Sequence, residues 1–124
     1  MKTLMFVLML ALASPLLADT RTGDLLRRSD AFAATEAEPL QTLYWQALQQ
    51  WQQGDAVQAL RDLDYAAWQG SLAAAERLCV MDAFGVGMAP NVQKAAFWCA
   101  RAERGGRNVA EVRRHLDQLW IARE

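Results

Sequence analysis

Apolar residues recur at helical spacing from Pro39 to the end of the chain. The first stripe follows the i, i+3, i+4, i+7 pattern of an amphipathic helix, and glutamines cover the opposite side. Its members are Leu40, Leu43, Tyr44, Ala47, Leu48 and Trp51. Gly54-Asp55 then predicts the end of this helix and the N-cap of a second helix, which ends at Gly70. The pattern predicts a helix hairpin over residues 40–70.

A second pair of helix-sized apolar segments lies between Gly70 and Gly106, separated by a short loop that contains Gly85-Val86-Gly87. Small residues accompany the large ones on both segments. Alanine or cysteine at a helix crossing lets two backbones approach closely, while Leu78 and Trp98 fill the flanks. Two such stripes are buried only by folding onto each other, which predicts a second hairpin over residues 71–106.

The two predicted hairpins share a period of 36 residues, and a shorter third segment follows them. The period relates Ala59 to Ala95, Ala66 to Ala102, and Gly70 to Gly106. A final apolar stripe predicts a capping helix over residues 107–122, which closes the end of the stack. The predicted fold is all-α: a short α-solenoid of antiparallel helix hairpins, with about two repeats and a C-terminal capping helix.

The second hairpin resembles the Sel-1-like repeat, a branch of the tetratricopeptide-repeat superfamily. The positions that define the resemblance are Gly70, Ala74, Leu78, Gly85, Gly87, Ala95, Trp98, Ala102 and Gly106. The chain departs from the family pattern at Cys79, Asp82 and Asn91, where the family usually has glycine, an aromatic residue and aspartate. The resemblance implies a non-enzymatic adaptor whose inner surface, lined by the first helix of each hairpin, holds a peptide or another protein.

The first residues have the form of a bacterial secretory signal: a charged start at Lys2, an apolar middle and a small-residue exit. We expect a signal peptide over residues 1–18, cleaved after Ala18, with Ala13 as a rival site. A retained anchor helix is the alternative, although the apolar run falls short of the ~20 residues that span a bilayer. The chain is therefore predicted to be periplasmic or secreted, with no stable membrane insertion after cleavage.

The exported part begins with a weakly patterned segment and carries a small negative charge. Residues 19–39 are polar and alanine-rich, which predicts a linker or loosely docked arm before the repeat domain of residues 40–124. A short helix over residues 24–35, through Leu25, Leu26 and Phe32, is the alternative for part of this segment. Removing Lys2 with the leader leaves 12 basic and 14 acidic residues, a net charge of −2. This charge argues against a nucleic-acid partner.

Both cysteines lie in the exported part, where an oxidising compartment favours a disulfide. In an antiparallel hairpin that turns near Gly87, Cys79 and Cys99 are approximate neighbours across the two helices. We therefore predict a disulfide between them. Two reduced cysteines buried as small hydrophobic residues are the alternative.

The sequence offers little for catalysis, and we predict no catalytic, cofactor-binding or metal-binding residues. The one histidine, His115, lies on the predicted capping helix and is interpreted as a packing or solvated side chain. Gly85-Val86-Gly87 follows a helix rather than a strand, so it is a turn rather than a phosphate-binding loop. Two thiols 20 residues apart lack the spacing of metal ligands.

Features suited to partner binding are more evident. Trp45 lies one residue off the first stripe among glutamines, where an exposed tryptophan suits a partner surface. The alternative is that Trp45 packs beneath the arm of residues 19–39. The candidate contacts for a protein or peptide partner in the cell envelope are Trp45, Gln49, Arg77 and Asp82.

Two further hypotheses remain open from the sequence. In the first, an arginine cluster near Arg101, Arg107 and Arg114 binds an envelope polymer or another anionic ligand, as a binding protein or as the accessory subunit of an enzyme. In the second, the chain is a structural subunit that self-associates through the end of the solenoid. The preferred hypothesis is an interaction module.

Overall fold

The computed structural model describes residues 20–123, and helices joined by short turns make up this whole span. The helices are α1 (Thr20–Ala33), α2 (Glu38–Gln52), α3 (Ala56–Trp68), α4 (Leu72–Phe84), α5 (Val92–Arg104) and α6 (Ala110–Arg123). No strand occurs among the described residues. The signal peptide predicted over residues 1–18 and its cleavage after Ala18 lie outside them.

The helices pack as a short stack of antiparallel hairpins, which confirms the predicted fold class. Helix α2 packs on α3, α4 packs on α5, and α6 packs against both helices of the second hairpin. Polar side chains cap the starts of α3 and α5, as the sequence predicts for Asp55. The Asp55 carboxylate accepts from the Gln58 amide at the start of α3, and the Asn91 side chain accepts from the Lys94 amide at the start of α5, each at 3.0 Å.

The turns that end α3 and α5 repeat the same backbone hydrogen bonds. The amides of Gln69, Gly70 and Ser71 donate to the carbonyls of Tyr65, Ala67 and Ala66, and those of Gly105, Gly106 and Arg107 donate to Arg101, Glu103 and Ala102. Each residue of the second set lies 36 positions after its counterpart in the first. The two hairpins therefore end in the same way, with a glycine of positive φ at the second position of each turn.

Helix α4 occupies the centre of the fold. It packs against α1, α3, α5 and α6, and ten of its 13 residues are buried. A helix covered from several sides has no polar face, which explains why the apolar stripe of this segment is less sharp than those of its neighbours. The predicted disulfide is present: Cys79 of α4 is bonded to Cys99 of α5, with Cα atoms 4.7 Å apart.

The prediction that residues 19–39 form a linker or loosely docked arm needs correction. Residues Thr20–Ala33 form α1, which packs on α4 and buries Leu25 and Ala33. Much of its attachment is polar. Asp30 of α1 accepts hydrogen bonds from Arg77 of α4 at 2.8 Å and from the hydroxyl of Tyr44 of α2 at 2.5 Å. Leu26 and Phe32 also pack against the core, so both apolar and polar contacts dock this helix.

Two further sets of hydrogen bonds hold α1 and the turn that follows it in place. The hydroxyl of Ser29 donates to Glu76 of α4, and Arg107 donates to the other oxygen of the same carboxylate at 2.8 Å. After α1, the carboxylate of Glu36 accepts from the Ser71 hydroxyl and from the Leu72 amide at the start of α4. A buried charge is tolerated in a fold when it is paired and hydrogen-bonded, and here each bond also holds α1 or its connection in place.

Gly87, in the loop of the second hairpin, packs against the ring of Trp51 near the end of α2. A Cβ atom added at Gly87 would lie 2.1 Å from the ring of Trp51, and the residue has a φ of +74°. Both the backbone conformation and the close ring therefore require glycine at this position. Gly54 has a similar φ of +86°, but a Cβ atom there would meet nothing within 4 Å.

Alanine variants of Gly54 and Gly87 separate the effect of backbone strain on stability from the effect of packing. We expect Gly54→Ala to lower the free energy of unfolding by about 1–2 kcal/mol, through conformation alone. Gly87→Ala should lower it by about 1–3 kcal/mol more, because the added methyl displaces Trp51. Urea unfolding followed by far-UV circular dichroism measures both. Equal losses for the two variants would contradict the packing between Trp51 and the loop.

The disulfide should contribute substantially to the stability of so small a fold. We expect the double variant Cys79→Ala/Cys99→Ala to lose about 3 kcal/mol in unfolding free energy, because the unfolded chain regains the entropy of the 20-residue loop. Urea unfolding of the variant and of the oxidised protein gives the difference. The reduced wild-type protein is the control for the substitutions themselves. An unchanged urea midpoint after reduction would contradict this expectation.

Candidate functional site

The face built from the first helices of the hairpins is largely occupied by α1. This helix contacts α2 and α4, and its Arg21 forms an ion pair with Glu111 of α6 at 2.8 Å. Arg77, predicted as a partner contact, is paired with Asp30 and hydrogen-bonded to the Tyr44 hydroxyl at 3.3 Å. The segment expected to be loose therefore covers this side chain, and Arg77 as a partner contact stays a prediction.

Tyr44 shows how closely α1, α2 and α4 pack around the ion pair of Asp30 and Arg77. Its side chain is fully buried between α1, α2 and α4, and burial raises the pKa of its hydroxyl well above the ordinary value. The hydroxyl therefore stays protonated and acts as a donor to Asp30. This contact is structural, because its hydrogen bonds hold α1 against α2 and α4.

An open cavity lies on the other side of α4, between the second helices α3 and α5. Its volume is about 260 Å³. We call it the Asp82 pocket, after the α4 residue at its base. It is lined by Val57, Leu60, Arg61 and Asp64 of α3, Leu78 and Asp82 of α4, Met88 of the loop, and Lys94 and Trp98 of α5. Aliphatic and aromatic walls with a few charged groups are typical of binding sites.

Asp82 is the unusual residue of this pocket. It is only 3% exposed, yet its carboxylate accepts no hydrogen bond and forms no ion pair with the residues that the structure describes. Burial raises its pKa to about 6, an increase opposed by the charge of Lys94 and assisted by that of Asp64. Burial also raises the pKa of Asp64, again against Lys94. The pocket thus holds two carboxylates whose charged forms are incompletely compensated.

Exposed aromatic residues adjoin the pocket through Trp98. The ring of Trp98 meets Trp68 of α3 at a centroid distance of 5.5 Å, and Phe97 lies 5.6 Å from the same Trp68 ring. Arg101 lies over Trp68 at 4.7 Å. Trp68 and Phe97 are 54% and 43% exposed, so they bridge α3 and α5 at the surface rather than in the core. We call Trp68, Phe97 and Arg101 the Trp68 patch.

The structure does not bring the four predicted partner contacts together. Trp45 is 40% exposed and packs edge-to-face on Tyr44, while Gln49 is exposed on the same helix. Neither lines the Asp82 pocket. Asp82 is buried rather than displayed on a surface, and the pocket reaches it from between α3 and α5.

The sequence contains a signal for the surface that Trp68 occupies. Val57, Arg61, Asp64 and Trp68 follow one another at spacings of four, three and four residues, which places them on one side of α3. The buried side of the same helix carries Ala59, Leu63, Ala66 and Ala67. Large apolar residues on the exposed side of an otherwise amphipathic helix indicate a contact surface.

The arginines of the anionic-ligand hypothesis lie apart from one another. Arg101 contacts Trp68 of α3, whereas Arg107 pairs with Glu76 of α4 and lies over the Phe32 ring of α1. Arg101 and Arg107 therefore face different helices, and Arg114 lines a separate surface cavity with Glu111 and His115. His115 stacks on Phe84 with ring centroids 4.2 Å apart, consistent with its interpretation as a packing side chain.

Within residues 20–123, no group of histidine, cysteine and acidic side chains has the arrangement of a metal site. None of the described helices is both long and apolar enough to span a bilayer. Compared with family models, with curated proteins and with solved structures, the chain matches none. The resemblance to Sel-1-like repeats therefore rests on the residues that define it.

The electrostatics of Asp82 predict a pH-dependent stability. Its pKa is about 6 in the fold against 3.8 ordinarily, so the folded protein holds this proton more tightly than the unfolded chain does. The stability it contributes is fully present below pH 3.8 and is lost as the pH rises through about 6. Asp82→Asn removes this loss, because its amide stays neutral at every pH.

We therefore expect Asp82→Asn to gain stability relative to wild type between about pH 4 and about pH 8, by up to about 3 kcal/mol. Urea unfolding at the two pH values gives the difference. Asp117→Asn, which neutralises an exposed carboxylate of α6, is the control and should follow the wild-type profile. Identical pH dependence for wild type and Asp82→Asn would contradict the assigned environment of Asp82.

Proposed function

We propose that this chain is a non-enzymatic interaction module of the bacterial cell envelope, which binds a protein or peptide through the surface between α3 and α5. The observation behind this proposal is the continuity of the Trp68 patch with the Asp82 pocket. Half-exposed aromatic rings beside a pocket are typical of interaction hot spots. The hypothesis agrees with the adaptor role that the resemblance to Sel-1-like and tetratricopeptide repeats implies.

The proposed location is the periplasm or the extracellular medium. The disulfide between Cys79 and Cys99 supports it, because such bonds persist in oxidising compartments. The leader predicted over residues 1–18 supports the same route. A buried disulfide and a polar-docked α1 also suit a rigid adaptor, which loses little conformational entropy when a partner binds.

The proposed surface differs from the one that the resemblance implies. A repeat adaptor of this kind is expected to bind along its first helices, but here α1 contacts α2, α4 and α6. The second helices α3 and α5 carry the exposed aromatic residues instead. Trp45 on α2 remains the best candidate for a contact on the first-helix side.

Partner capture with two single tryptophan variants tests whether the chain binds a partner and which surface it uses. The tagged wild-type protein is incubated with an envelope extract and cross-linked, and its partners are identified by mass spectrometry. We expect Trp68→Ala to lower recovery of the specific partner at least about tenfold, since a hot-spot tryptophan contributes ≥2 kcal/mol. Trp45→Ala removes a similarly exposed ring from α2 and should leave recovery nearly unchanged.

Each other outcome has a definite meaning. Loss with Trp45→Ala but not with Trp68→Ala would move the site to the first-helix side. Recovery of no protein above the level of a tag-only control would contradict the interaction module itself. Circular dichroism and urea unfolding of both variants establish that each remains folded.

A further inference from the structure

Helix α4 places three charged residues in or near the core, and only two of them have partners. Glu76 is 5% exposed and accepts from Ser29 and Arg107. Arg77 is paired with Asp30. Asp82 is as buried as Glu76, but its carboxylate forms no hydrogen bond and no ion pair with the described residues. The one unpaired charge of the helix is the one that faces the pocket.

The carboxylate of Asp82 keeps contact with solvent only through the pocket, and no hydrogen-bond donor among the described residues replaces the water that it loses on burial, which is unfavourable. The two cations that line the pocket do not remove this cost. Lys94 and Arg61 are both exposed, and neither forms an ion pair with Asp82 or Asp64. Their long side chains can turn toward solvent, whereas Asp82 is fixed on the central helix. The fixed charge at the base of the pocket is therefore negative.

The remaining walls of the pocket suit an alkyl chain. Leu60, Leu78 and Met88 provide aliphatic surface, and Trp98 provides an aromatic ring that can also contact a cation. A ligand that fits these walls and the acid at their base has an apolar stem and a positive end. Among protein side chains this description fits lysine and arginine.

Resting on the proposed function, we propose that the Asp82 pocket receives the lysine or arginine side chain of a peptide partner. The alkyl stem lies between Leu78 and Trp98, and the charged end reaches Asp82, with Asp64 as a second carboxylate. The peptide backbone on either side then crosses the Trp68 patch, where Trp68 and Phe97 are exposed. The pocket supplies the charge selection and the patch supplies apolar contact area.

Lys94 makes this proposal sharply testable. Its ammonium already interacts electrostatically with Asp64 and Asp82, so it competes with a bound cation. Removing it should strengthen the binding of a cation. If the pocket instead bound an anion, Lys94 would be a ligand-binding residue and its removal would weaken binding. The sign of the effect of Lys94→Ala thus separates the two kinds of site.

The first experiment uses single capped residues as probes. Nα-acetyl-lysine methylamide and its arginine analogue are titrated into the ¹⁵N-labelled protein, and chemical shifts of the Trp98 indole and of α4 are followed. The norleucine analogue has nearly the same stem without the charge and should bind at least about tenfold more weakly. The glutamate analogue should give no saturable shift. Norleucine binding as tight as lysine binding would overturn the proposal.

Three variants complete the test. Asp82→Asn should weaken binding of the lysine probe at least about tenfold, Asp117→Asn should leave it unchanged, and Lys94→Ala should strengthen it severalfold. Wild-type affinity should fall below about pH 6, as Asp82 becomes protonated. Undiminished binding by folded Asp82→Asn, or weaker binding by Lys94→Ala, would overturn the proposal. So would n-butylammonium binding as tightly as the capped residue, since the site would then recognise free amines.

Partner capture keeps this inference separate from the proposed function. If a partner is lost with Trp68→Ala but recovered fully with Asp82→Asn, the interaction surface stands and the basic side chain in the pocket is excluded. If no partner is captured although the lysine probe binds with the expected selectivity, the pocket chemistry stands and the interaction module is excluded.

Discussion

The burial of α4 is the constraint on which the rest of the structure depends. A helix packed against α1, α3, α5 and α6 can present only small or apolar side chains to most of its neighbours, and Ala73, Ala74 and Ala75 allow the close approach. The disulfide from Cys79 fixes α5 along it. Any charge on such a helix must find a partner from another element or open onto a cavity. Glu76 and Arg77 follow the first course, and Asp82 follows the second.

The charges on α4 also decide which surface of the stack is open. Glu76 and Arg77 bond to Ser29 and Asp30, which lie on successive positions of α1. By satisfying these charges, α1 covers the face that first helices would otherwise offer to a partner. Among residues 20–123, no further helix covers the side of α4 that faces the Asp82 pocket. There α3 and α5 are bridged by Trp68 and Phe97 at one end and separated by the Asp82 pocket at the other.

The sequence predicts the parts of this fold that depend on local pattern. The hairpins, the cap at Asp55 and the pairing of Cys79 with Cys99 all follow from the residues of one or two adjacent helices. The docking of α1 could not be predicted in this way, because Ser29 and Asp30 meet partners 47 positions away through polar bonds. The candidate site could not be predicted from the sequence for the same reason. Asp82 was predicted as a partner contact because it lies on the first helix of its hairpin. Its environment, however, depends on Asp64 and Lys94, which come from two other helices.

Asp82 is the position where local energetics and the fold disagree. An alanine or leucine there would satisfy the packing of a buried helix without leaving a charge unpaired, and a natural core rarely keeps an uncompensated carboxylate. The other buried acid of α4 shows that this chain does build partners for such groups when they serve the fold. A local rule that is broken at one buried position, beside a cavity and exposed aromatic rings, is typical of a functional site. On the proposal that a basic side chain fills the pocket, its charge would offset the cost of Asp82 in the free protein, and stability and recognition would be coupled through a single side chain.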